Sequence, residues 1–366
     1  MIMVKYAHIL PSEKFKIFII KWRLAVNWEV LSYKKYNDKY KEKGTGKEMK
    51  VTVIGCGRWG SFIAWYLNHI GQDVILYGRE GSKHMSEFAM TRSNGMITLP
   101  ESIILETNLS KALESEVIII SINSQGLRNV MKEIENYKVK NKKFVLCMKG
   151  IEIETGKRLS QIVNETLEEN SSVSVWLGPG HVQNFYQGIP NCMVIDSECE
   201  ADQQFLVTSF SSDLIRFYYG DDMIGSEVGA AAKNVIGIAA GMLDGMNLSS
   251  LKGALMSRGT REVARLIKAM GGKEQSAYGL CHLGDYEATV FSKYSHNRSY
   301  GEAFVKGQEY TNLAEGYYTV KAMIKLGLMY QVELPICEAV YTMLYENGDC
   351  KKVLQELFDR SLKKEF

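Results

Sequence analysis

Three glycines, Gly55, Gly57 and Gly60 of the stretch KVTVIGCGRWG (50–60), have the spacing G-x-G-x-x-G. They follow an apolar, β-branched run, Val51, Val53 and Ile54, and lead into a helix-compatible segment over 61–70. Strand, glycine turn and helix in that order are what a dinucleotide pyrophosphate needs. The first glycine makes the tight turn, the second lets the backbone approach the phosphates, and the third lets helix and strand pack closely, while the helix N-terminus offers free N–H groups to the negative charge. Further along, Arg79 stands two residues past the end of a second apolar run, where an acid usually binds the ribose diol of NAD. That favours NADP or dual use, although Glu80 is adjacent and Arg79 also suits an ordinary surface position. Lys149 follows a strand-like run and is a candidate anion or substrate contact. Lys233 enters a largely apolar helical segment, where a charge is costly unless it is paired or functional.

The elements that must position these residues have a βαβ rhythm. Beyond the first strand, DVILY (73–77), EVIIISI (116–122), KFVLCM (143–148) and 174–177 read as strands. In open α/β sheets ligands gather at the carboxyl ends of the strands, so the loops at 123–125, 149–150 and 178–181 are expected to face the crevice of the glycine turn. The pattern changes after Tyr219. GDDMIG (220–225) has turn composition, and helices are expected at 226–246, at 249–270 and in shorter segments to the end. Gly237, Gly241 and Gly245 recur every four residues in an apolar stretch that is too short to span a membrane, which points to close packing of a buried helix. The fold class expected is α/β followed by all-α, with a Rossmann-type dinucleotide-binding domain at 49–221 and a helical domain at 222–366.

Composition narrows the classes further. The chain has 366 residues, 46% apolar and 23% charged, as a soluble globular protein has. Its seven cysteines lack zinc spacing, so no metal site is indicated and a reducing, cytoplasmic compartment is expected. The net charge of +2 hides an asymmetry: about 11 Lys and Arg against about 5 acids lie before Met49, leaving 33 against 37 in the remainder. The body is therefore mildly acidic, and nucleic-acid binding is not indicated. Residues 1–48 hold a moderately apolar run, 15–30, interrupted by Lys16, Lys21, Arg23 and Glu29, then a Lys/Tyr-rich tract. Neither a membrane span nor a signal peptide fits, and the segment reads as a disordered or dispensable extension, or as the product of an upstream start codon.

Motifs spread along the body carry a more specific resemblance. GCGRWG (55–60), CMKGIE (147–152), GPGHVQNFYQGIP (178–190), GSEVGAAAKNVIGIAAG (225–241), LGDYEAT (283–289), SHNRSYGEAF (295–304) and LAEGYYTVKA (313–322) resemble, in order and spacing, the NAD(P)-dependent glycerol-3-phosphate dehydrogenases. The resemblance implies interconversion of sn-glycerol 3-phosphate and dihydroxyacetone phosphate with NAD or NADP, by a protein that is often a homodimer. It places the acid/base role on Lys233, with Lys149 and Asp285 as catalytic partners. A buried structural ion pair is the other reading of Lys233 and Asp285. The substrate residues implied are Lys149, Gly178, Gly180, Lys233, Asp285, Thr289, Ser295, His296, Asn297 and Arg298. Cofactor contacts implied, besides the three glycines, Arg79 and Lys149, are Arg58, Trp59, Val182, His296, Leu313 and Glu315; Trp59 suits the core equally.

Two departures bear on the substrate. The family commonly has Ser-Arg-Asn-Arg where this chain has Ser295, His296, Asn297 and Arg298, and the missing arginine is the one expected at the substrate phosphate and the cofactor. A Gly-Pro-Ser-Phe-Ala loop is here Gly178, Pro179, Gly180, His181 and Val182, losing a hydroxyl, and His181 and His296 are expected to compensate in part with weaker, pH-dependent phosphate binding. An uncompensated charge-assisted hydrogen bond is worth roughly 1.5–3 kcal/mol, about tenfold to a hundredfold in affinity. Another phosphorylated or anionic polyol is thus an alternative substrate, and a non-catalytic dinucleotide-binding regulator is an alternative of a different class.

Overall fold

The computed structural model describes residues 49–361 and 364. The extension expected at 1–48 lies outside the described residues. Eight strands, β1 (Lys50–Ile54), β2 (Asp73–Tyr77), β3 (Ile104–Glu106), β4 (Val117–Ile120), β5 (Lys143–Leu146), β6 (Ser172–Leu177), β7 (Asn191–Ser197) and β8 (Ile215–Tyr219), form one sheet in the order β3-β2-β1-β4-β5-β6-β7-β8. All neighbours are parallel except β6 and β7. The first six strands have the doubly wound Rossmann order, whose direction reverses between β1 and β4. Seven helices accompany them: α1 (Arg58–His69), α2 (Lys83–Thr91), α3 (Leu109–Ala112), α4 (Leu127–Glu135), α5 (Leu159–Asn164), α6 (Val182–Tyr186) and α7 (Glu200–Phe210).

The central strands are apolar on both sides because both faces are covered. Val51, Val53, Val117, Ile119 and Val145 enter a core with Phe62 and Trp176. Ile54, Ile118, Ile120, Phe144 and Leu146 enter a second core on the opposite face. The strands expected at 73–77 and 143–148 correspond to β2 and β5. β3, β7 and β8 had no clear periodic signal: β3 is three residues long, and β7 and β8 mix polar with apolar residues. α1 starts at Arg58 rather than at 61, since Gly57 has extended backbone and is the N-cap, so Gly60 lies inside the helix.

The second half is helical: α8 (Met223–Gly245), α9 (Lys252–Ala269), α10 (His296–Val305), α11 (Glu315–Tyr330), α12 (Pro335–Tyr345) and α13 (Cys350–Phe358). α8 begins earlier than expected, which puts Gly225 in its first turn and Lys233 at mid-helix. It is buried along almost all its length. α9 is preceded by a 3₁₀ turn, Ser249–Leu251. A 3₁₀ turn, Leu283–Asp285, and a π turn, Glu287–Phe291, join the middle of this half to α10. Among the described residues no helix is long and apolar enough to cross a membrane.

The glycine repeat of α8 acts where α10 crosses it. A Cβ at Gly241 would strike the carbonyl oxygen of Arg298, and one at Gly301 would strike that of Ile238. Each helix thus presents a glycine to the other's backbone. Gly237 admits the Thr289 methyl and the Asn297 Cβ, 2.7 and 3.2 Å from where its own Cβ would be. Gly241→Ala and Gly301→Ala are each expected to push the helices apart and destabilise the fold by about 1–3 kcal/mol, measured by chemical denaturation. Gly253→Ala, in the first turn of α9 with nothing within 4 Å of the added methyl, is the control and should leave stability unchanged or slightly raised.

Candidate active site

The crevice opens at the carboxyl ends of β1 and β4, where the strand order reverses. Gly55 has φ +113°, and a Cβ there would strike the Ser121 carbonyl oxygen. Gly60 lies equally close to the Gly55 carbonyl, so the turn, β4 and α1 are packed backbone against backbone. At Gly57 nothing lies within 4 Å of an added Cβ, and no side chain caps α1. The helix therefore presents uncapped N–H groups, and its positive end, to open space, which suits the pyrophosphate of a dinucleotide. Arg79 and Glu80 are both exposed beyond β2.

Across the crevice, Lys149 at the end of β5, Lys233 of α8 and Asp285 of the 3₁₀ turn converge. Lys149 Nζ lies 2.6 Å and Lys233 Nζ 3.0 Å from the same atom, Asp285 Oδ2. Lys149 Nζ also donates to the Gly178 carbonyl at 2.7 Å, and Lys233 Nζ donates to Thr289 Oγ1 at 2.7 Å. Asp285 is 1% exposed, and its other oxygen, Oδ1, has no protein partner. Burial lowers the Lys233 pKa to about 8; Asp285 opposes the shift and Lys149 assists it. Glu315, the first residue of α11, has its carboxyl pushed up to about 7 by burial, with Lys233 and Lys149 opposing. Asn234, next to Lys233, donates to the Lys149 carbonyl at 3.3 Å and accepts from Asn297 Nδ2 at 3.0 Å, and Asn297 Oδ1 accepts the Gly316 N–H at 2.8 Å. This chain of amides ties β5, α8, α10 and α11 together around the lysines.

The remaining expected residues divide. Ser295 is the N-cap of α10 and accepts the Arg298 N–H. His296 Nε2 lies 3.0 Å from Arg58 Nη1, and its Nδ1 lies 2.9 Å from the Tyr310 hydroxyl. Leu313 is half exposed on the loop before α11. Four further residues have contacts within the protein. Arg298, expected at the substrate phosphate, donates to Asp244 at 2.8 Å, to Glu302 at 2.9 Å and to the Ser292 carbonyl at 3.2 Å, so its charge is taken up in holding α10 to the end of α8. At Gly180, φ is +146° and the Phe185 ring fills the space of a side chain, so the serine hydroxyl it replaces has no room here. Val182 is 1% exposed, with its side chain in the sheet core. Trp59 packs its ring on Phe62 and Phe185, with centroids 5.2 and 6.3 Å apart, as a flank of the core.

Sequence reasoning did not single out Tyr310, a tyrosine in a polar loop with no pattern around it. Nor did it assign a role to Asn234, which follows Lys233 in the chain. His181, expected to compensate in part at the phosphate, is buried with Nε2 unpartnered, and burial together with Arg58 and Lys233 lowers its pKa to about 4. Among the described residues no group of three or more His, Cys, Asp or Glu side chains has a metal-binding arrangement.

Family models for both halves of the chain describe the same family. Residues 50–203 match the NAD-dependent glycerol-3-phosphate dehydrogenase N-terminus, and residues 222–355 match the C-terminus of the same family. The chain is 34% identical over 332 residues to a glycerol-3-phosphate dehydrogenase (NAD(P)+) from Fusobacterium nucleatum, covering 87% of this chain and 99% of that protein. A protein of the same name from Clostridium botulinum is 34% identical over 335 residues, with 87% and 99% covered. The fold is similar to the crystal structure of glycerol-3-phosphate dehydrogenase from Coxiella burnetii, with a TM-score of 0.81, 27% identity, and 86% and 99% of the two chains covered. On the strength of both domain matches and of relatives spanning nearly their whole length, the chain belongs to the NAD-dependent glycerol-3-phosphate dehydrogenase family.

Proposed function

We propose that the protein interconverts sn-glycerol 3-phosphate and dihydroxyacetone phosphate with NAD or NADP, and that Lys233 is its acid and base. Residues 49–221 hold the cofactor and residues 222–366 supply most of the chemistry. The observation that carries the reading is the buried Lys233 ammonium, 3.0 Å from Asp285 and 2.7 Å from Thr289, with a pKa of about 8. When bound, the nicotinamide accepts hydride from the alcohol carbon or returns it to the ketone. In the oxidative direction neutral Lys233 takes the hydroxyl proton; in the reductive direction its ammonium donates to the ketone oxygen. Asp285 and Thr289 aim Nζ, and Lys149 balances the carboxylate so that Lys233 is not held as a fixed ion pair. Asn297, Ser295 and the N-terminus of α10 support binding of the phosphoryl group.

A second reading, a dehydrogenase of another phosphorylated or anionic polyol, is supported by His296 and by the Gly180–His181 loop. The setting we infer is cytoplasmic, supported by seven unpaired cysteines, and the assembly a homodimer, in keeping with the family resemblance. Turnover of NADH or NADPH with dihydroxyacetone phosphate tests the main reading. No turnover with that ketone, alongside turnover of another phospho-ketone, selects the second.

Lys233→Ala should lower kcat by about 10²–10⁴ while NADH binding persists. In the wild type, kcat/KM for glycerol 3-phosphate oxidation should rise with pH through about 8, where Lys233 loses its proton. The ketone-reduction limb should fall through the same pH, because it needs the ammonium. A pH profile of both directions that lacks this opposed pair removes Lys233 from the acid/base role. For the cofactor, Arg79→Ala should raise the KM for NADPH about tenfold with little change for NADH, as measured by parallel steady-state kinetics.

A further inference from the structure

Three cationic side chains, Lys149, Lys233 and Arg58, border the crevice, and two helices of ten or more residues, α1 and α10, begin at it. Of the acids facing the lysines, Asp285 is shared by both, and Glu315 lies within electrostatic reach of both. Arg58 is placed differently. Its guanidinium is partly buried and lies 3.0 Å from His296 Nε2, with no carboxylate in ion-pair reach among the described residues. A guanidinium can only donate, so Nε2 is the unprotonated nitrogen, and Nδ1 carries the hydrogen and donates to the Tyr310 oxygen. The imidazole is therefore neutral, and it holds the arginine without balancing its charge. A guanidinium withdrawn from water without an anion is unfavourable, and burial lowers the Arg58 pKa accordingly.

A second observation points into the same space. His181 is buried, its Nε2 has no partner, and its charged neighbours are Arg58, Lys233, Asp285 and Lys149. Meanwhile α10 brings no guanidinium of its own to the crevice, since Arg298 is bound to Asp244 and Glu302. The main-chain N–H groups of the glycine turn are uncapped and sufficient for a pyrophosphate, whereas the Arg58 side chain crosses to the first residue of α10.

We propose that Arg58, a residue of the glycine turn, is the guanidinium that binds the phosphoryl group of the substrate, and that His296 is the neutral acceptor that parks it there before substrate arrives. The inference rests on the reading of the substrate as a phosphorylated polyol. Phosphate binding then joins the two halves of the chain, with Arg58 from one side and Asn297 and the α10 N-terminus from the other.

The test uses full-length protein carrying Arg58→Ala, and the same change combined with His296→Arg, which returns a guanidinium from the opposite side of the contact. NADH binding is followed by fluorescence titration, and glycerol 3-phosphate binding in the presence of NAD by calorimetry. Arg58→Ala is expected to weaken glycerol 3-phosphate binding about tenfold to a hundredfold, the worth of one charge-assisted contact, while NADH binding changes less than about threefold. The double variant is expected to recover part of the lost affinity. Unchanged glycerol 3-phosphate binding with weakened NADH binding would make Arg58 a cofactor residue and overturn the proposal, as would no change in either. If the wild type neither binds nor turns over glycerol 3-phosphate, the functional reading fails on its own. Inorganic phosphate titrated by ³¹P NMR then decides about Arg58: binding lost in Arg58→Ala supports the anion site, and equal binding or none in both proteins overturns it.

Discussion

One carboxylate oxygen, Asp285 Oδ2, receives both Lys149 and Lys233 in a place nearly closed to water, and the rest of the structure is arranged so that this can persist. A buried ion is tolerated only when its partners are held in good geometry. The three partners come from the end of a sheet strand, the middle of a buried helix and a 3₁₀ turn, so the cluster forms only when the sheet and the helical half are packed on each other. Burial lowers the Lys233 pKa and Lys149 assists, against the opposing pull of Asp285 and Glu315. The same arrangement that would be poor value as a structural ion pair is suited to moving a proton near neutral pH.

Geometry of that kind requires backbone, not side chains, to set the distances. The contact of α8 and α10 is glycine on carbonyl in both directions, and Gly237 brings Thr289 and Asn297 down onto the helix that carries Lys233 and Asn234. The amide chain from Lys149 through Asn234 and Asn297 to Gly316 then fixes four elements by directional bonds. The glycine turn of the sheet follows the same rule, with Gly55 and Gly60 against the backbone of each other and of Ser121. Both halves of the site are held by close backbone approach, and in both the substituent that would spoil it is a single methyl.

The side of the crevice bordered by Arg58 and His296 is where this chain differs from the pattern it otherwise follows. A histidine at 296 and a Gly-His pair at 180–181 remove one charge and one hydroxyl from the expected set. In the folded chain these changes are not isolated, because Arg58 lies against His296 and His181 lies near Arg58. The three substitutions occupy one side of one crevice, although 238 residues separate Arg58 from its contact.

Periodicity and composition by themselves determined the sheet's central strands, the glycine turn, the switch to helices after Tyr219 and the buried character of α8, because each of these is a local pattern repeated over several residues. The ordered motifs likewise led to Lys149, Lys233 and Asp285, whose chemistry is carried by residue type. Short or mixed strands such as β3, β7 and β8 were not legible, since their stability comes from neighbours in the sheet rather than from their own sequence. Nor was the fate of Arg298, which a motif places at the phosphate and which Asp244, distant in sequence, draws away. Which oxygen both lysines share, how Phe185 fills the space at Gly180, and that Arg58 meets His296 and Tyr310 were decided only by tertiary structure, because contacts between residues far apart in the chain leave no periodic trace along it.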